Sequence, residues 1–129
     1  MQVYTDSTDN ASLDGQGHLA ITALRSGTGY TSARLNTKGK FDFTYGRVEA
    51  SIKMPVGTGL NSAFWALGAN VDTVGWPAAG EIDMAEYLDT GASYHVGLHG
   101  PPVLHDPANP YAQWQLGANA TTGEDLSAD

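Results

Sequence analysis

Short apolar or alternating runs between glycine-rich turns are the feature that most limits what this chain can fold into. Successive side chains of a β-strand point to opposite faces, so such runs are typical of strands that cover a core on one side. The clearest run spans residues 47–54, and its apolar positions are Val48, Ala50, Ile52 and Met54. No helical period persists over three turns, and 16 glycines among 129 residues fit frequent turns. The pattern predicts an all-β sandwich.

Five further segments have the length and composition of strands. A turn at residues 26–29 (Ser-Gly-Thr-Gly) separates the first two, and the third and fourth are mostly apolar, as in buried strands. The sequence predicts these strands over residues 19–24, 30–35, 62–67, 81–87 and 94–99.

The run at residues 81–86 (Glu-Ile-Asp-Met-Ala-Glu) is the strongest functional signal. It holds three of only fourteen acidic residues within an otherwise apolar stretch. Removing a carboxylate from water costs free energy, so three of them here need a reason. Paired carboxyl groups suit acid/base and nucleophilic chemistry on a glycosidic bond. The alternative is an acidic edge strand whose charges face solvent and discourage aggregation.

The spacing of the three carboxylates requires an irregular strand if all three are to share one face. Glu81 and Asp83 share a face of a regular strand, whereas Glu86 has the wrong parity. One extra residue, absorbed as a β-bulge at Met84 or Ala85, returns Glu86 to their face. The outer glutamates are then roughly 13 Å apart along the strand. Side chains that lean inward can close this to the roughly 5–5.5 Å of retaining glycosidases.

The segments around this run carry a family resemblance. Upstream lie residues 37–50 (Thr-Lys-Gly-Lys-Phe-Asp-Phe-Thr-Tyr-Gly-Arg-Val-Glu-Ala) and 63–68 (Ala-Phe-Trp-Ala-Leu-Gly). Residues 75–80 (Gly-Trp-Pro-Ala-Ala-Gly) precede the acidic run, and residues 95–101 (His-Val-Gly-Leu-His-Gly-Pro) follow it. In this order they resemble glycoside hydrolase family 16, and within it the laminarinase-like endo-β-1,3-glucanases. Ala79 stands where many laminarinase-like sequences have a cysteine.

The resemblance implies a fold and an activity. The fold is a β-jelly roll of the concanavalin A type with a concave cleft, and the activity is retaining hydrolysis of internal β-1,3 bonds in laminarin-type glucans. Glu81 is implied as the nucleophile and Glu86 as the general acid and base, with Asp83 between them tuning protonation. Mixed-linkage glucan, agarose and carrageenan stay open as substrates. A glucan-binding module without catalysis and an inert fragment stay open as functions.

Five further residues are candidates for substrate binding. His95 and His99 share a strand face, with Gly97 between them leaving room for a sugar ring. Hydrogen bonding within the framework is the alternative for both. A flat indole matches the apolar face of a pyranose, so Trp65 and Trp76 are candidates for stacking on a sugar. For Trp65, packing in the core is an equally plausible role. The candidates are Arg34, Trp65, Trp76, His95 and His99, with an exposed salt bridge as the alternative for the arginine.

Composition and charge exclude several partners. A net charge of −8 with six basic residues argues against nucleic acid and anionic membrane surfaces. The absence of cysteine excludes disulfides and thiolate metal sites. We assign no cofactor and no metal, since retaining hydrolysis needs none. The start of the chain has no signal-peptide pattern, and we expect the full-length parent to be secreted.

The chain is short for the implied fold, because sandwiches commonly need about 200–250 residues. We therefore expect residues 1–129 to form an incomplete part of a family-16 catalytic domain. Unpaired strand edges in such a partial sandwich can pair with another copy, so self-association is a further expectation.

Overall fold

The computed structural model describes residues 1–88, 93–101, 114–121 and 126–127. The chain forms two compact units, Met1–Asp42 and Phe43–Asp129. The predicted all-β class is confirmed, since the described residues hold nine strands and one four-residue helix. Their bounds are β1 Gln2–Tyr4, β2 Ala11–Leu13, β3 Leu19–Ile21, β4 Leu24–Ser26, β5 Gly29–Ser32, β6 Asn61–Leu67, α1 Val71–Val74, β7 Glu81–Leu88, β8 Ser93–Gly100 and β9 Trp114–Thr121.

The first unit contains two small sheets. In one, β5 pairs in parallel with β1 and antiparallel with β4, and in the other β2 pairs antiparallel with β3. The strand predicted over residues 19–24 is divided into β3 and β4. The backbone N–H and C=O of Thr22 both bond to Asn10, which is buried, so Thr22 does not continue the ladder. The predicted strand over residues 30–35 is β5, which ends at Ser32.

The second unit is built on an antiparallel sheet in the order β6-β7-β8-β9. The strands predicted over residues 62–67, 81–87 and 94–99 are confirmed as β6, β7 and β8. Between β6 and β7 the chain passes through α1 and a turn, and a 3.0 Å hydrogen bond from Gly68 N to Gly80 O closes the base of this loop. The loop thereby returns the chain to the start of β7.

The predicted bulge in β7 is confirmed by the strand register. Asp83 lies opposite Gly97 and Glu86 opposite His95, so three steps along β7 match two steps along β8. On the other side, Trp65 lies opposite Asp83 and Phe64 opposite Ala85, which leaves Met84 without its own partner on β6. One extra residue in β7 changes the parity of every residue after it.

The strand predicted over residues 47–54 is wrong. This segment is outside regular structure, and Val48 and Ile52 are 40% and 44% exposed. Buried Met54 donates its backbone N–H to the carbonyl oxygen of Leu126 at 2.9 Å. Alternation along a sequence predicts which side chains could face a core, but a strand also needs a neighbouring strand to bond with, and no described strand pairs with this segment.

An apolar cavity lies on one face of the second sheet. Its volume is about 350 Å³, and its lining includes Val48, Ile52, Met54, Phe64, Tyr94 and Leu126. Phe64 pairs with Ala85, so this face is opposite to the one that carries Trp65 and Asp83. Within the described residues no helix has the length and apolarity to cross a lipid bilayer.

Candidate active site

The three carboxylates of β7 share one face of the second sheet. Glu81 lies opposite His99, Asp83 opposite Gly97 and Glu86 opposite His95. Residues directly opposite in an antiparallel pair point to the same face, and the three β8 partners are two residues apart. Glu86 therefore faces the side of Glu81 and Asp83 because of the bulge. Asp83 is buried and the two glutamates are half-buried.

The neighbouring strands extend this face on both sides. On β6, Trp65 lies opposite Asp83, with Leu67 opposite Glu81 and Ala63 opposite Glu86. On β9, residues opposite the three β8 positions are Gln115, Gly117 and Asn119. The face is thus a carboxylate row flanked by an aromatic strand on one side and a histidine strand on the other. We call it the carboxylate face.

Trp76 joins this face from the loop before β7. Its indole Nε1 donates a 2.5 Å hydrogen bond to Oε2 of Glu81. Its ring centroid lies 6.0 Å from that of His99, with the rings tilted by 47°. The Trp76 side chain remains partly open, at 42% exposure. Trp76 is therefore placed to hold a carboxylate with its N–H while leaving ring surface accessible.

Asp83 and His99 form the most buried polar contact of the site. Nε2 of His99 lies 3.0 Å from Oδ2 of Asp83, and the side chains are 14% and 4% exposed. The contact does not have hydrogen-bond geometry, so Oδ2 of Asp83 has no hydrogen-bond partner among the described residues. A buried acceptor without a partner is costly, so this oxygen is available to a donor that enters the site. An ion pair forms here only when His99 is protonated.

The protonation of Glu81 is perturbed. Burial raises the pKa of Glu81 above its ordinary value, and the charge of Asp83 and a hydrogen bond with it raise the pKa further. The Trp76 hydrogen bond and the charge of His99 lower the pKa of Glu81, but burial has the largest effect. Glu81, the residue with the raised pKa, is also the residue that the family resemblance implies as the nucleophile.

Gly97 lies between the two histidines along β8 and is buried. A Cβ at this position would lie 2.9 Å from Oδ2 of Asp83, 3.5 Å from Nε2 of His99 and 3.6 Å from Nε2 of His95. Polar atoms from three side chains therefore crowd this position, and only glycine fits there without a shift of Asp83. No group of three metal-binding side chains is assembled here or elsewhere in the described residues.

The remaining sequence candidates have different positions. Trp65 and His95 lie on the carboxylate face, and both are half-buried. Arg34 belongs to the first unit, just after β5, and is exposed. Its role in binding stays a prediction.

Two residues of β9 were not predicted as part of the site. Nδ1 of His95 lies 3.1 Å from Oδ1 of Asn119, and Gly117 lies next to the His95 ring. The signal was present in the sequence as an alternation over residues 115–120, in which polar or glycine positions alternate with Leu116, Ala118 and Ala120. Thirteen residues separate the end of β8 at Gly100 from the start of β9 at Trp114, so the register of β9 against β8 could not be derived from the sequence.

Residues 3–127 match the family model described as "XgeA-like, catalytic GH16 domain". The chain belongs to glycoside hydrolase family 16. The glucan endo-1,3-beta-glucosidase of Cryptopygus antarcticus is 33% identical over 142 residues, an alignment that covers all of this chain and 48% of that protein. The predicted resemblance to family 16 is thereby confirmed.

Solved structures of the family resemble the chain in three dimensions. The laminarinase catalytic domain from Thermotoga maritima MSB8 matches 98% of this chain and 51% of its own length, with a TM-score of 0.69 and 33% identity. The family-16 endo-glucanase from Bacteroides ovatus, in complex with G4G3G-2F-DNP, matches 96% of this chain and 53% of its own, with a TM-score of 0.80 and 32% identity. The jelly-roll fold class is confirmed, and the chain spans about half the length of these relatives.

Proposed function

We propose that this chain carries the catalytic carboxylates of a retaining endo-β-1,3-glucanase. The observation that carries the proposal is the register shift in β7, which puts Glu81, Asp83 and Glu86 on one face. Two glutamates on a common face can act on one glycosidic bond from two sides, as the double-displacement reaction requires. The similarity to a glucan endo-1,3-beta-glucosidase supports the β-1,3 linkage.

Each carboxylate has a separate role in the proposed reaction. Glu81 attacks the anomeric carbon and forms a glycosyl ester while Glu86 protonates the departing glycosidic oxygen. Glu86 then takes a proton from water, and this water releases the sugar from Glu81 with net retention of configuration. Asp83 adjusts the proton affinity of Glu81 through its charge and its hydrogen bond.

The surroundings of Glu81 fit the role of nucleophile. A nucleophilic carboxylate must be ionised, and burial opposes ionisation. The indole hydrogen bond from Trp76 stabilises the ionised form, which keeps Glu81 available for attack. The accessible part of the Trp76 ring supports stacking on a sugar. Trp65, His95 and His99 line the same face. Arg34 is proposed as a further substrate-binding residue.

The substrate of the proposed reaction is a neutral β-glucan. The net charge of −8 imposes no penalty on such a partner, whereas it opposes binding to a polyanion. We also propose that the protein is secreted, since the proposed substrate is a polymer met outside the cell.

The outer strands of the second sheet support self-association. β6 and β9 are the edges of this sheet, and no described strand pairs with their outer sides. Exposed edges are templates for pairing with another chain. Sedimentation over a range of concentrations tests this proposal, and a monomer at every concentration contradicts it.

One set of assays tests the function. The chain and its Glu81→Gln and Glu86→Gln variants are incubated with laminarin, and the reducing ends released are measured. Glu49→Gln is the matched control, because Glu49 is an exposed glutamate paired with Arg47. We expect the unsubstituted chain (the parent in these tests) and the control to release reducing ends. The rate of release should fall at least about a thousandfold in both active-site variants, and NMR should show that the first product has the β-anomeric configuration.

Two outcomes contradict the proposal in different ways. Binding of laminarin without release, equal in the parent and both variants, indicates a glucan-binding protein. Faster release from mixed-linkage glucan or agarose than from laminarin contradicts the proposed linkage but retains the hydrolase.

A further inference from the structure

The ring of His95 is held from the β9 side by two residues that the proposed reaction does not use. Nδ1 of His95 lies 3.1 Å from Oδ1 of Asn119, its cross-strand partner. A carboxamide oxygen is only an acceptor, so this contact is a hydrogen bond when Nδ1 carries the proton. Nε2 is then left with a lone pair.

Gly117 provides the space that the His95 ring occupies. A Cβ at this position would lie 2.5 Å from Nε2 and 2.6 Å from Cε1 of His95, closer than real Cβ contacts. Any larger residue would therefore displace the imidazole. Gly97 lies near the same nitrogen, since a Cβ there would lie 3.6 Å from Nε2 of His95. The ring thus lies over two glycines of adjacent strands.

We propose that Asn119 and Gly117 are positioning residues that fix the orientation and tautomer of His95, so that its Nε2 is presented on the carboxylate face, beside Gly97, as a hydrogen-bond acceptor. This inference rests on the proposed function, because it assigns His95 to the reception of a sugar hydroxyl. The hydroxyl donates its one proton to Nε2, and Oδ2 of Asp83, the nearby acceptor without a hydrogen-bond partner among the described residues, takes a proton from a different donor.

The two tautomers of His95 differ in which ring nitrogen can accept a hydrogen bond, so the position of the proton decides what the ring can bind. An imidazole with its proton on Nε2 would present a donor to the same space and would leave Nδ1 as an acceptor facing the acceptor oxygen of Asn119. Nε2 would then repel a hydroxyl that donates, and Nδ1 would repel Oδ1 of Asn119. Asn119 on β9, by accepting a hydrogen bond from Nδ1, therefore determines that Nε2 of His95 is an acceptor.

The tautomer can be measured directly on the full chain. Its four histidines give a small set of imidazole signals when the chain is labelled with ¹⁵N-histidine, and long-range ¹H–¹⁵N spectra at pH 8 distinguish the two tautomers. We expect the proton of His95 on Nδ1 in the parent, a shift towards Nε2 in Asn119→Ala, and retention on Nδ1 in Asn119→Asp, which keeps an acceptor oxygen. Gln115→Ala is the matched control, since Gln115 has the same place opposite His99.

Activity measurements separate this inference from the function on which it rests. We expect kcat/KM on laminarin to fall about three- to tenfold in Asn119→Ala, the effect of one neutral hydrogen bond, and to recover in Asn119→Asp. Gly117→Ala should lower kcat/KM and change the His95 signals in the same sample.

Four outcomes are decisive. A His95 tautomer that is identical in the parent and in Asn119→Ala overturns the inference, as does a parent proton on Nε2. A changed tautomer with unchanged kcat/KM overturns the role in the reaction. A changed tautomer in a chain that never cleaves laminarin supports the positioning of His95 and contradicts the proposed function.

Discussion

The indole Nε1 of Trp76 donates a 2.5 Å hydrogen bond to Oε2 of Glu81. Trp76 comes from the loop before β7 and Glu81 is the first residue of that strand, so loop and strand meet at one carboxylate. Hydrogen bonds to the ionised form of a carboxyl lower its pKa, and this one opposes the effects of burial and of Asp83. The ionisation of Glu81 is therefore set by groups that act in opposite directions.

Replacing Trp76 with phenylalanine removes the donor but keeps an aromatic ring. The pKa of Glu81 should rise further, because burial and Asp83 are no longer opposed by this bond. A nucleophile must be ionised, so the acidic limb of the profile of kcat/KM against pH should move to higher pH. An acidic limb that stays in place contradicts the assignment of that limb to Glu81.

Replacing Asp83 with asparagine should move the same limb the other way. The charge of Asp83 and its hydrogen bond raise the pKa of Glu81, so their loss lowers it. The acidic limb should shift to lower pH even as maximal turnover falls. Equal shifts of the same sign in Trp76→Phe and Asp83→Asn would mean that the limb reports a different group.

Glutamine at position 81 should stabilise the fold while abolishing turnover. A carboxyl whose pKa is raised by folding contributes stability below its unfolded pKa, and this contribution is lost as the pH rises through its folded pKa. Neutral glutamine avoids that loss, so the Tm of Glu81→Gln should exceed that of the parent at pH 7. The difference should shrink as the pH falls below the unfolded pKa of glutamate.

The matched variant Glu49→Gln provides the reference for this measurement. Glu49 is exposed and pairs with Arg47 at 2.6 Å, so its change in stability should stay within about 0.5 kcal/mol. A Tm for Glu81→Gln that is below the parent value at pH 7 is the contrary result.

Alanine at position 97 should impair the site more than the fold. Its Cβ would lie 2.9 Å from Oδ2 of Asp83, so the Asp83 carboxylate must move. A displacement of about 1 Å at a catalytic group can cost about a hundredfold in rate, and we expect a loss of tenfold or more in kcat. Ser93→Ala, an exposed change at the start of the same strand, is the control. Full activity in Gly97→Ala contradicts the placement of Asp83.

Asp14, in the turn between β2 and β3, should have an unusually low pKa. A backbone hydrogen bond from Gln16, a side-chain bond with His18 and a backbone bond from His18 lower the pKa of Asp14 to about 2. The stability that these bonds contribute is present above the unfolded pKa of aspartate and is lost as the pH falls towards about 2. Carbon-detected NMR of the carboxyl should show this pKa, and His18→Ala should raise it only in part, because the Gln16 bond remains. An ordinary pKa in the parent chain contradicts the turn geometry.

The fold was predictable where sequence-local physics decides it. The strands around residues 62–67, 81–87 and 94–99 are regular because their own alternation or apolarity matches a strand, and each has a sequence neighbour to pair with. Residues 47–54 alternate more cleanly than any of these but are not a strand in the described sheet. The pairing partner decides such a case, and a partner is not encoded in the segment itself.

The sequence by itself determined the acidic run, its family and the need for a bulge, because the parity of Glu81, Asp83 and Glu86 follows from their spacing alone. Only the tertiary structure decided that Met84 is the extra residue against β6, that Trp76 bonds to Glu81, and that Asn119 holds His95. These contacts join residues of different strands and loops, and their register depends on how separate segments pair in space. Local spacing fixes which face a side chain takes, whereas pairing fixes what it meets there.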